Sequence, residues 1–139
     1  MKYLFLFMLF VAPMASSEQW YEGAWKIDGA KFPGISAVGM EDISPYVGKV
    51  KTVSKASIPL RNSLCESPIF KERNIKKEDF EFDYRATYEE LGFKNGDVQV
   101  VSAICKNSLN FIFSHIIHNN GVTYGYWEGA FVALSKSKP

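Results

Sequence analysis

Between Val98 and Leu134 three apolar runs follow one another, Val98–Cys105, Leu109–Ile117 and Val122–Leu134. Lys106-Asn107-Ser108 and Asn119-Asn120-Gly121 separate them, and Glu128-Gly129 breaks the last run. Runs this short, rich in Val, Ile and aromatic residues and bounded by turn-forming residues, predict strands rather than helices. Consecutive strands joined by tight turns predict an antiparallel meander. Whatever precedes Val98 has to close against that meander. The aromatic share of 15 % fits a packed β interior better than a helical bundle.

The N-terminus reads as a leader. Met1-Lys2 supplies a positive start, Tyr3 to Val11 is unbroken hydrophobe, and Pro13 followed by Ala15-Ser16-Ser17 prepares a cut before Glu18. The run is too short to span a bilayer, which needs ~20 apolar residues. Residues 1–17 are therefore expected to be a signal peptide and 18–139 a single domain, periplasmic or secreted and without stable membrane insertion. Export decides how Cys65 and Cys105 read. They are the only cysteines, and outside the reducing cytosol one Cys65–Cys105 disulfide is the economical pairing. In the chain-entropy model such a loop is worth about 3–4.5 kcal/mol. Sixteen basic residues face fifteen acidic ones, so the global field of a nucleic-acid binder is missing. Lys71, Arg73, Lys76 and Lys77 cluster locally, but Glu72, Glu78 and Asp79 interleave them, and the stretch reads as a solvated turn.

Taken in order, Gly23 to Asp28 alternates, with Trp25 and Ile27 on one parity, and predicts a half-buried first strand. Trp20 is placed across an open end of the domain. Met40–Gly48 predicts one or two helical turns, with acids early and Gly48 at the end. Lys49–Leu60 predicts a second strand and Ile69–Lys71 a short one. Phe80-Glu81-Phe82 reads as a strand or as the lead-in to a short helix through Tyr84, Tyr88 and Leu91, which fall at i, i+4 and i+7. Lys94-Asn95-Gly96-Asp97 is a tight turn into the meander.

Catalysis finds little support in the residues. His115 and His118 are the only histidines, and odd spacing on a strand turns them to opposite faces. Ser114 and His115 are separated by the same parity. No H-E-x-x-H, paired C-x-x-C or G-x-S-x-G occurs. Carboxylate pairs drawn from Glu22, Asp28, Glu89 and Glu90 carry no distinguishing spacing. No metal ligand set and no cofactor is expected, and the chain reads as a non-enzyme. Binding is the better class. In Gly121–Gly129, Val122, Tyr124 and Tyr126 share one face of a strand and Thr123, Gly125 and Trp127 the other. One set is expected to fill the core, and the other to form an exposed aromatic patch, since Tyr and Trp are enriched at interfaces.

Gly23-Ala24-Trp25 resembles the G-x-W of lipocalins, in which the tryptophan closes the base of an eight-stranded barrel around an apolar ligand. More of the chain is similar to small exported bacterial proteins of unassigned function, themselves lipocalin-like or like periplasmic lysozyme inhibitors in general design. That resemblance is carried by Gly23-Ala24-Trp25, Pro33-Gly34-Ile35-Ser36-Ala37, Gly48-Lys49, Cys65 with Pro68, Cys105 and Trp127–Leu134. It implies a fold and a compartment, and no catalytic residues. The expectation is a mainly β domain, a small antiparallel barrel or strongly curved sheet of about seven or eight strands with one or two short helices. Tyr124, Tyr126, Trp127 and Trp25 are the expected binding residues. The expected function is a binding module, of inhibitor or immunity type, for a protein partner. The alternative is a lipocalin-like carrier of a small apolar ligand.

Overall fold

The structure, a computed structural model, describes residues 9–12, 18–106 and 109–138. Of the expected signal segment only 9–12 falls among the described residues, and Leu9, Phe10 and Val11 are exposed there. The chain runs β1 (Gly23–Lys31), α1 (Met40–Ile43), β2 (Val50–Val53), β3 (Ser57–Pro59), β4 (Leu64–Glu66) and β5 (Ile69–Ile75). It continues through α2 (Lys77–Tyr84), α3 (Tyr88–Leu91), β6 (Val98–Ile104), β7 (His115–Asn119), β8 (Val122–Trp127) and β9 (Ala130–Lys136). Seven strands form one antiparallel sheet in the order β2-β1-β9-β8-β7-β6-β5, and β3 with β4 forms a separate hairpin. The large sheet curls through 199°, so the expected strongly curved antiparallel sheet is found, as a half-barrel. Three short helices accompany it.

The meander β6-β7-β8-β9 lies where the apolar runs place it. Its last two turns, Asn120-Gly121 and Glu128-Gly129, hold positive φ at both central residues (45° and 82°, 51° and 94°). That geometry matches the right-handed twist of the strands they join. β1 then pairs along β9, with Ile27 opposite Leu134, and brings the two ends of the domain together.

Both faces of the sheet are covered. One face gathers Val53 from β2, Trp25 and Ile27 from β1, Val132 and Leu134 from β9, and Ile116 and Val101 into one cluster. Phe70 from the opposite edge strand packs against that same cluster, which makes it the inner face of the curl. Phe111, Ile112 and Phe113, on and beside a 3-10 turn (Ile112–Ser114), fill the curl together with Ile58 and Cys65 of the β3–β4 hairpin. Ile112 fits because β8 has no side chain at Gly125: a Cβ there would lie 2.4 Å from the Ile112 carbonyl oxygen. The Cys65–Cys105 disulfide, with Cα atoms 5.9 Å apart, ties the hairpin to the end of β6. The outer face carries Val98, Val100, Ile117, Tyr124 and Phe131 under Phe80 of α2 and Tyr88 and Leu91 of α3.

Four local readings are corrected. The cationic stretch expected as a solvated turn divides between two elements: Lys71 and Arg73 lie on β5, which extends to Ile75 and pairs with β6 from Ile69↔Ile104 to Ile75↔Val98, while Lys76 and Lys77 open α2. As an edge strand with mostly exposed side chains β5 reads polar, and its charges discourage further pairing. Lys49–Leu60 is two strands in two sheets, divided at a turn where Ser54 bonds Ser57 through backbone and side chain. The helix expected through Tyr84 and Leu91 is two, because Arg85 turns left-handed (φ 54°) and Thr87 caps a new start by accepting from the Glu90 N–H. Leu109–Ser114 is no strand. It folds into the curl, with the Ser114 hydroxyl accepting from the Phe111 N–H.

Candidate functional site

At one end of the half-barrel, where β6 finishes and β7 begins, a cleft of about 960 Å³ opens between the end of α2 and the β8–β9 turn. Its floor is polar and its rim aliphatic. The floor follows from register. Ser102 on β6 stands directly opposite His115 on β7, so both side chains project from the outer face as neighbours. Ile116 opposite Gly125 places His115 beside Tyr126, with ring centroids 5.7 Å apart. Tyr84, the last residue of α2, stacks on Phe80 and meets Tyr126 edge-on at 5.1 Å, which aims its hydroxyl at His115. Arg73 reaches the same place from β5, on the parity of Ile75.

These four side chains form one hydrogen-bonded chain. Arg73 donates to Tyr84 Oη at 3.4 Å, Tyr84 Oη lies 2.5 Å from His115 Nε2, and His115 Nδ1 lies 3.0 Å from Ser102 Oγ. A guanidinium only donates, so the Tyr84 oxygen accepts from Arg73. A neutral imidazole has one N–H and one bare nitrogen, so His115 donates to one of its neighbours, Tyr84 or Ser102, and accepts from the other. Burial, with a smaller push from the Arg73 charge, lowers the His115 pKa from 6.5 to about 4, and so keeps the ring neutral at physiological pH. Burial likewise raises Tyr84, against the opposing effect of Arg73, and raises Tyr126 with help from Glu128. What the floor offers to the cleft is the Ser102 hydroxyl and the remaining N–H groups of Arg73.

The rim is built by three segments. Ile104 ends β6 and is 47 % exposed, while Leu109 is 91 % exposed. Ile35 is 99 % exposed, on a loop held over the β8–β9 turn by Ala37 N–H donating to the Glu128 carbonyl (2.8 Å) and by Ser36 Oγ donating to the same oxygen (3.1 Å). Gly129 permits that approach, since a Cβ there would sit 2.3 Å from the Ile35 carbonyl oxygen. Asp83 and Glu128 flank the cleft from opposite sides.

The structure scatters the residues that the sequence singled out. Trp25 is buried on the inner face, its indole N–H donating to the Tyr21 carbonyl at 2.9 Å and the Lys136 ammonium lying 4.3 Å from its ring. Tyr124 is buried on the outer face and donates to the Leu91 carbonyl at 2.6 Å. Trp127 is buried against Phe111, with Arg61 5.7 Å from its ring, and only its edge reaches a second opening of about 610 Å³. The expected exposed aromatic patch is thereby corrected to Tyr126 alone, half-buried at the first cleft. The reason is that β8 is covered on both faces, so both parities are core. The parity of the histidines is as expected: His118 lies on the inner face, Nδ1 2.8 Å from Thr123 Oγ1 and beneath Trp20, which hydrogen-bonds Glu72 across the open end.

Arg73, Tyr84 and Ser102 were not singled out as site residues. Ser102–His115 becomes readable only once β6 and β7 are in register, and the irregular link between them conceals it. Among the described residues no group of three or more His, Cys, Asp or Glu side chains stands together as metal ligands. No described helix is long and apolar enough to cross a membrane. Comparison with family models, with curated proteins and with solved structures finds no match for this chain.

Proposed function

We propose that this protein is an exported, periplasmic or secreted, non-catalytic binding module, of inhibitor or immunity type, whose end cleft receives a protruding segment of a protein partner. The observation that carries this reading is the pairing of a pre-organised polar floor, Arg73–Tyr84–His115–Ser102, with an exposed aliphatic rim of Ile35, Ile104 and Leu109. Exposed aliphatic side chains around a polar pocket are the composition of a recognition site. The disulfide fits an oxidising compartment. The alternative, a carrier of a small apolar ligand inside the curl, loses its support where Phe111, Ile112 and Phe113 occupy that space.

The test is affinity capture from the exported fraction of the native host with wild-type protein and with an Ile104→Asp, Leu109→Asp double variant. The retained protein is then purified and titrated calorimetrically. One specific partner whose affinity falls by roughly tenfold or more in the variant is the expected result. Equal retention by both proteins, or retention of nothing specific, overturns the proposal.

A further inference from the structure

The donors on the cleft floor point to the chemistry of what it binds. The hydrogen-bond chain begins at Arg73, which only donates, and ends at the hydroxyl of Ser102. Among the described residues Arg73 makes one side-chain hydrogen bond, the long one to Tyr84, which leaves its other N–H groups without a described acceptor. A guanidinium with N–H groups to spare, on the same cleft floor as a hydroxyl, matches the two oxygens of a carboxylate.

Charge on the floor agrees with that match. Arg73 is the charged group that acts on His115, and at Tyr84 its influence exceeds that of Asp83. Asp83 and Glu128 stand at the flanks. There they suit the N–H groups of a peptide backbone. The same acids, with the Asn110 amide, make a poor lining for a hydrocarbon chain. Ile35, Ile104 and Leu109 offer room for one apolar side chain above the polar floor.

Resting on the binding reading above, we infer that the cleft takes the free C-terminal carboxylate of a partner polypeptide ending in an apolar residue. Arg73 and Ser102 hold the carboxylate, and the aliphatic rim holds the terminal side chain. Tyr84 and His115 are positioning residues, which hold Arg73 and Ser102 in place through the hydrogen-bonded chain.

The experiment titrates the full exported protein with three probes, followed by nuclear magnetic resonance and calorimetry: acetyl-Ser-Ala-Ala-Leu as the free acid, the same peptide as its C-terminal amide, and dodecanoate. The free acid is expected to shift the Ser102 and His115 signals and to bind roughly tenfold or more tightly than the amide. Arg73→Gln, a change at an exposed edge-strand position, should erase that difference while leaving the melting temperature in place. Ser102→Ala should reduce the difference. Equal binding of acid and amide, binding of neither, or an Arg73-independent preference overturns the inference, and so does tighter Arg73-dependent binding of dodecanoate than of the peptide. A captured partner that binds equally well after its C-terminus is blocked overturns this inference and leaves the binding reading standing.

Discussion

The two faces of the curled sheet are both covered, yet they are built by different means. The inner face is closed by irregular backbone: a 3-10 turn inserted against Gly125 and a hairpin tied down through Cys65–Cys105. The outer face is closed by α2 and α3, with a run of ring-on-ring contacts among Phe80, Tyr84, Tyr88, Phe93, Tyr124 and Phe131. Where the helical cover ends, at Tyr84, polar groups take over and the cleft begins. Both faces bury a core cluster, and the outer face leaves one margin uncovered, at the cleft.

Perturbing the disulfide tests the inner face most severely. Replacing both Cys65 and Cys105 with Ser frees a loop of sequence separation 40, and the chain-entropy model puts the loss at about 4 kcal/mol in urea denaturation. A small loss would mean that the β3–β4 hairpin is held by packing alone. Gly125→Ala comes next, at about 3 kcal/mol, because the added methyl collides with backbone and not with a flexible side-chain end. Tolerance of that methyl would show an inner face with space to spare.

The outer margin responds to pH. His115 titrates at about 4 when folded and near 6.5 when unfolded. Between those values the unfolded chain binds more protons, so stability is full above 6.5 and falls as the pH is lowered toward 4. A depression of this size corresponds to at most about 3 kcal/mol across the window, and His118, also lowered by burial, acts in the same direction. His115→Phe should flatten most of that slope in denaturation measured at stepped pH. An unchanged slope would place the acid sensitivity elsewhere. Tyr84→Phe removes the hydroxyl that joins Arg73 to His115 and should cost about 1–2 kcal/mol. It should also raise the His115 pKa, since water can then reach Nε2, and a proton-detected titration of the ring reads this directly. The smallest stability effect belongs to Arg73→Gln, within about 0.5 kcal/mol for an exposed edge position, although the same change should be decisive for ligand binding.

Local signals identified the meander, its two tight turns and the opposite facing of the histidines, because strand parity and turn chemistry act over a few residues. They misread β5 for a physical reason: an edge strand with few buried side chains has the composition of a turn. They misplaced the binding aromatics because alternation separates the two faces of a strand without saying that one of them is open. On β8 neither is, and Trp127 and Tyr124 are both interior.

By itself the amino-acid order determined a small antiparallel β domain, the cysteine pair that staples it, and the separation of His115 from His118. Only the tertiary structure brought Arg73, Tyr84, His115 and Ser102 together, from an edge strand, a helix end and two strands joined by an irregular link. Register across that link depends on how Phe111–Ser114 folds into the curl against Gly125, a contact between distant segments that no local pattern encodes.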